Sequence, residues 1–151
     1  MKLTPTTKRK AGMTLLELTV VILVLLSLIS ILFIGARAWK KGSDRAASIL
    51  QIRNVQQAVR SYANMNGINP GETPTFTAPE GQDAKTLKGE LFGEGKFITN
   101  DPTAEGAKHP AGGNHKYSIT AATVVPEIGD LYMTVTGTDA SDYIPTETAD
   151  W

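Results

Sequence analysis

The feature that most limits what this chain can become is the run Met13–Ile34, whose only departures from apolar character are Thr14, Glu17, Thr19, Ser27 and Ser30. Written as a helix rising about 1.5 Å per residue, it reaches about 30 Å or slightly more, enough to cross a hydrocarbon layer. Signal-peptide cores are shorter, roughly 7–15 apolar residues, and do not begin with an acid. The run is therefore read as a membrane-spanning helix.

Its head carries a second signal. Glu17 is the one charge in the run and lies a single turn from the start, with Gly12 just outside. Thr14-Leu15-Leu16-Glu17 has the spacing of a capping box, in which the Thr14 hydroxyl accepts from the Glu17 N–H and the carboxylate reaches back to the Thr14 N–H. Capping leaves acceptor sites on the carboxylate unused. A lone carboxylate held at mid-membrane depth costs about 2.5–3.5 kcal/mol on insertion scales, which favours pairing with a cation. The helix itself offers no basic side chain between Met13 and Ile34.

The basic leader, Gly12 and the Thr14-Leu15-x-Glu17 start together resemble the N-terminus of type IV pilins and of the pseudopilins of type II secretion. The resemblance implies cleavage by a membrane prepilin peptidase between Gly12 and Met13 and N-methylation of the new Met13 amine. It also implies a salt bridge from Glu17 to a Met13 amino group, its own or a neighbour's, that sets the offset between copies. Met13, Thr14 and Glu17 are the assembly residues on this reading. Family members often carry a helix-weakening Gly and a Pro within the membrane half, where this chain has Leu26 and Ile34. Leu87, Leu91, Phe92, Pro110, Gly112, Gly113 and Tyr117 extend the resemblance to some bacterial pseudopilin-like proteins, more weakly.

Charge is divided unevenly. Residues 1–12 hold Lys2, Lys8, Arg9 and Lys10, four of the 15 basic residues, and none of the 15 acids; the remainder has 11 bases against 15 acids. A mildly acidic body gives no reason to expect nucleic acid as a partner. Arg37, Lys40, Lys41 and Arg45 crowd the far end of the span, so the positive-inside rule orients it only weakly. The resemblance puts residues 1–12 in the cytoplasm, with a single pass through the inner membrane and the C-terminal part outside. Lys40, Lys41 and Arg45 suit contact with lipid headgroups. There is no cysteine, which excludes disulfides, a lipoprotein anchor and thiolate metal sites.

Past the span, Ala46, Ile49, Ile52, Val55, Val59 and Tyr62 recur at steps of three and four, continuing the helix to Met65-Asn66 as an amphipathic half. Gly67 suits its C-cap and Pro70 forbids continuation; Gly35 and Gly42 are possible bends. Residues 68–82 read as loop, 83–92 as a short helix capped by Asp83, and 106–114 as loop again. Two strands follow, with Tyr117, Ile119 and Ala121 alternating against Ser118 and Thr120, and Leu131, Met133 and Val135 against Tyr132, Thr134 and Thr136. The expected organisation is a leader (1–12), a transmembrane assembly half (13–36), an amphipathic half (37–66) and a loop-rich head with a small antiparallel sheet (67–151). That is an α+β chain, pilin-like by resemblance.

Little in the sequence suggests chemistry. His109 and His115 lie in a Gly/Pro-rich loop with no acid beside either and read as exposed loop residues rather than metal ligands or catalysts. No nucleophile elbow or nucleotide-binding loop occurs. Asp130, Asp139 and Asp142 are candidates for a calcium ion, which major pseudopilins often hold, although their spacing is not that of an EF-hand and solvated loop acids are the simpler account. No other cofactor is expected, and no enzymatic activity.

The expected function is a structural subunit of a type IV pilus-like or type II secretion pseudopilus filament, periplasmic or extracellular once assembled. Its partners would be the prepilin peptidase and methyltransferase, copies of itself, related pilin-like subunits, an inner-membrane assembly platform and membrane lipid. The alternative is a secreted or signal-anchored binding module, with a conventional peptidase reading Ala36-Arg37-Ala38 and cutting before Trp39.

Overall fold

A computed structural model describes residues 12–75 and 86–151. The basic leader through Ala11 and the Asp83 cap lie outside those residues. The element order is α1 (Leu15–Asn66), α2 (Leu87–Leu91), β1 (Lys116–Ile119), β2 (Met133–Thr136) and a 3-10 helix at Ala140–Tyr143. A long N-terminal apolar helix is thus followed by a small two-stranded antiparallel sheet, an α+β layout. Contacts divide the chain into two compact units, Met1–Lys40 and Lys41–Trp151.

In the first unit α1 is long and apolar enough to cross a membrane. All 17 large apolar residues from Met13 to Ile34 are exposed, by 46 to 82 %. Thr19 and Ser27 turn their hydroxyls onto the carbonyls of Leu16 and Val24, and Ser30 onto that of Leu26, each at 2.8 Å. The run therefore presents few free polar groups to its surroundings, as a lipid-facing helix requires. Gly35 and Gly42, the expected weak points, are both helical, as are Leu26 and Ile34.

In the second unit α1 changes character. Ser48, Ile52, Val55, Gln56, Ala58, Val59 and Ala63 are buried and form one stripe at helical spacing. The expected stripe is right in its centre and wrong at its start: Ala46 is exposed and Ile49 half-buried, whereas the polar Ser48 and Gln56 are inside. Leu87, Leu91, Phe92, Tyr117, Val125, Tyr132, Met133, Val135 and Tyr143 complete the core. Full burial of an aliphatic side chain such as Ile52 is worth about 1.5–3 kcal/mol. α1 ends as its sequence indicates. Gly67 takes φ +66°, the Ile68 N–H reaches the Ala63 carbonyl at 2.9 Å, and the Gly67 N–H reaches that of Asn64 at 3.4 Å. This is a Schellman stop, with Ile68 folded back onto the core.

The sheet pairs Tyr117 with Val135 and Ile119 with Met133, so the apolar side chains share one face. Both strands are shorter than their alternation suggests. β1 ends at Ile119 rather than Ala121, and β2 begins at Met133 rather than Leu131. Tyr132, expected to point outward, is fully buried. At Tyr132 the carbonyl still accepts from the Thr120 N–H at 2.9 Å, but Gln56 Oε1 on α1 takes the Tyr132 N–H at 3.0 Å, so the reciprocal strand-to-strand bond is not made there. Beyond β2, Gly137 has φ +132° and a Cβ there would lie 2.9 Å from the Asn114 carbonyl oxygen, so the crossing admits only glycine. The short helix is also corrected. Thr86 is extended and caps α2 through the Gly89 N–H at 3.2 Å, which prevents one helix from running from Asp83 to Phe92.

Candidate functional site

The residues singled out at the N-terminus form the capping box. The Thr14 N–H donates to Glu17 Oε2 at 2.8 Å and the Thr14 hydroxyl to the same oxygen at 3.0 Å, while the Glu17 N–H donates to Thr14 Oγ1 at 3.2 Å. The first regular turn closes with the Leu18 N–H on the Thr14 carbonyl at 3.1 Å. A carboxylate at this end is also favoured by the helix dipole. Both bonds that the carboxylate accepts, one from the Thr14 backbone and one from its hydroxyl, land on Oε2; among the described residues none donates to Oε1. Met13 stands exposed beside this group, and Gly12 has no atom within 4 Å of where a Cβ would sit. A protein engaging this end meets an open glycine, a thioether and a carboxylate within six residues. Ala36, Arg37, Ala38 and Trp39 lie within α1.

In the head, three polar side chains on α1 hold the loops. Gln56 ties down the segment that leads into β2, donating to the Asp130 carbonyl at 2.9 Å while accepting from the Tyr132 N–H. The Arg60 guanidinium donates to the carbonyls of Pro126, Glu127 and Trp151 at 2.7, 2.8 and 2.9 Å. Burial lowers the proton affinity of Arg60, and the three carbonyl dipoles answer its charge. The guanidinium carbon of Arg53 lies 4.6 Å from the centre of the Trp151 ring, a cation–π contact. Burial also pushes the Tyr132 phenol up to about 12.

Ser48 is the third. Its hydroxyl donates to the Tyr143 carbonyl at 2.9 Å and lies 3.0 Å from His109 Nε2. His109 is 4 % exposed, which corrects its reading as an exposed loop residue. Its ring meets those of Tyr117, Tyr143 and His115 at 4.7, 5.3 and 5.5 Å. A buried Ser–His pair invites comparison with a nucleophile and its base, but the hydrogen bond runs in the wrong direction. Ser48 gives its proton to a carbonyl, and His109 Nε2 is left as donor rather than acceptor. His115 is half-buried, with Nδ1 2.9 Å from the Gly112 carbonyl and Nε2 2.6 Å from that of Thr138.

No protein family, curated protein or solved structure matches this chain.

The three candidate calcium acids are not brought together. The Asp130 N–H is bonded to the Glu127 carbonyl, and Asp139 sits in the left-handed region at φ +53°. Asp142 pairs with Lys41 Nζ at 2.8 Å, and that ammonium holds its carboxylate below the ordinary range. Among the described residues no group of three or more His, Cys, Asp or Glu gathers as a metal site would. Gln56, Arg60 and Ser48 are the residues that sequence reasoning missed. Gln56 had a legible signal, lying four residues after Ile52 and three before Val59, inside the apolar stripe.

Proposed function

We propose that this chain is a structural, non-enzymatic subunit of a filament of the type IV pilus or type II secretion pseudopilus kind, with a pilin-like fold. The observation that carries the reading is the make-up of α1. One helix starts in a capping box that, among the described residues, leaves one Glu17 oxygen without a donor, keeps its apolar run exposed, and continues into the stripe that holds the head together. A helix used only for export would have no need of the second part.

On this account a prepilin peptidase cuts between Gly12 and Met13, and the new amine is methylated. The chain waits in the inner membrane with its head outside the cytoplasm. Glu17 Oε1 then takes the ammonium of a Met13, in its own chain or an adjacent one, which offsets the cost of a buried carboxylate. Copies and related subunits exchange lipid contacts for one another along Met13–Ile34, and an assembly platform supplies the work of extraction. Glu17→Ala tests the role of the acid: processing continues at the normal rate while filament yield falls at least about tenfold, equivalent to about 1.4 kcal/mol per contact step. Wild-type yield from that variant would remove Glu17 from assembly.

A further inference from the structure

His109 joins three segments at one ring, and the directions of its hydrogen bonds admit a single assignment. Ser48 has one hydroxyl proton, which the Tyr143 carbonyl at 2.9 Å can only accept. Ser48 Oγ therefore accepts from His109 Nε2, and Nε2 carries the ring proton. The Ala111 N–H reaches Nδ1 at 3.2 Å, which requires a bare lone pair there. The imidazole is neutral, and both of its nitrogens are in use.

A second proton could go only to Nδ1. It would confront the Ala111 N–H, replacing a donor–acceptor contact with two opposed donors. The resulting charge would lie among rings, out of water, with a second imidazole stacked 5.5 Å away. The groups facing His109 are Asp44 from α1, Tyr117 from β1, Tyr143 from the 3-10 helix and His115 from the end of its own loop. Burial and His115 oppose the charged ring and outweigh Asp44, which favours it, so the proton affinity of His109 falls below the ordinary imidazole range.

We propose that His109 is an acid-operated latch: a proton taken up at Nδ1 frees the 106–115 loop from Ser48 and from the 3-10 helix while the core beneath stays folded. The neutral ring stabilises the closed loop, so its contribution is complete above the ordinary imidazole value of about 6.5 and is lost as pH falls through the lower folded value. Gln56 and Arg60 do not titrate in this window, so the ties on the other loops survive. The loop lines a groove of about 530 Å³ together with Leu50 and Asn54 of α1, so its release changes the shape of that groove.

Hydrogen exchange on the full chain in detergent micelles, at about pH 7.5 and about pH 5 and corrected for intrinsic exchange rates, tests the latch. The 106–115 amides lose protection roughly tenfold or more on acidification, while those of Ile52–Ala63 keep theirs. His109→Gln, which retains a side-chain donor but cannot titrate, abolishes the difference, and His115→Gln retains it. Equal protection at both pH values in the wild type, an unchanged response in His109→Gln, or its loss only in His115→Gln would overturn the proposal. Should His109→Gln fail to fold, imidazole nitrogen NMR of the wild type decides. An Nε2–H ring at the higher pH, with loop release tracking the second protonation, supports the latch; a doubly protonated ring under a closed loop refutes it.

Discussion

From Leu15 to Ile34, α1 buries none of its large apolar side chains, whereas from Ser48 to Ala63 the same helix buries seven residues, two of them polar. In the first half the sequence is uniform around the helix, and polar side chains turn inward onto their own backbone. In the second half one stripe is selected, and Ser48, Gln56 and the flanking Arg60 are spent on the carbonyls of distant loops. A helix that must face lipid or its own copies gains from uniformity. A helix that must hold one particular head gains from a few specific polar contacts, because a buried hydrogen bond fixes a position in a way that apolar area does not.

The largest expected effect lies at the start of the uniform half. Gly12→Val places a branched side chain at the exposed glycine beside the proposed cut and abolishes processing outright, leaving the full-length precursor on an immunoblot; mature product at wild-type levels would sever Gly12 from cleavage. Next comes a pair that divides the two halves. Ile52→Ala removes a fully buried side chain and destabilises the head by about 2–5 kcal/mol in thermal or denaturant unfolding, with membrane retention unchanged. Leu25→Ala, on a residue 52 % exposed, leaves head unfolding unaltered. Equal losses from both would mean that the two halves are not built differently.

A smaller effect separates the polar ties from apolar packing. Gln56→Ala leaves the Tyr132 N–H and the Asp130 carbonyl without their side-chain partner and costs about 1–3 kcal/mol, against a few tenths for a typical exposed position. The loss concentrates around Tyr132 and Asp130 in hydrogen exchange. Protection there unchanged from wild type would remove the bridge from the account.

Legibility in the sequence followed the same division. The apolar run, the capping box and the glycine stop at Gly67 were all readable, because each is a local device whose parts lie within five residues or within one periodic pattern. The sheet was readable as alternation but not in extent, since the Tyr132 N–H just before β2 is taken by Gln56, 76 residues away. His109 was misread for a related reason. A Gly/Pro-rich loop argues for exposure, and only the fold brings Ser48, Tyr117 and Tyr143 around the ring. The acids Asp130, Asp139 and Asp142 look alike in sequence, and only the fold shows that Asp142 is paired with Lys41.

The central claim is that α1 stays whole, trimmed only at its head, so that the uncovered half and the head-bearing half act as one part. Intact mass measurement of the chain recovered from its native membrane tests this directly. The account predicts a chain that begins at Met13, carries a single methyl group on its amine and retains the whole of α1. A chain that begins at Trp39, or one that still carries residues 1–12, would contradict it.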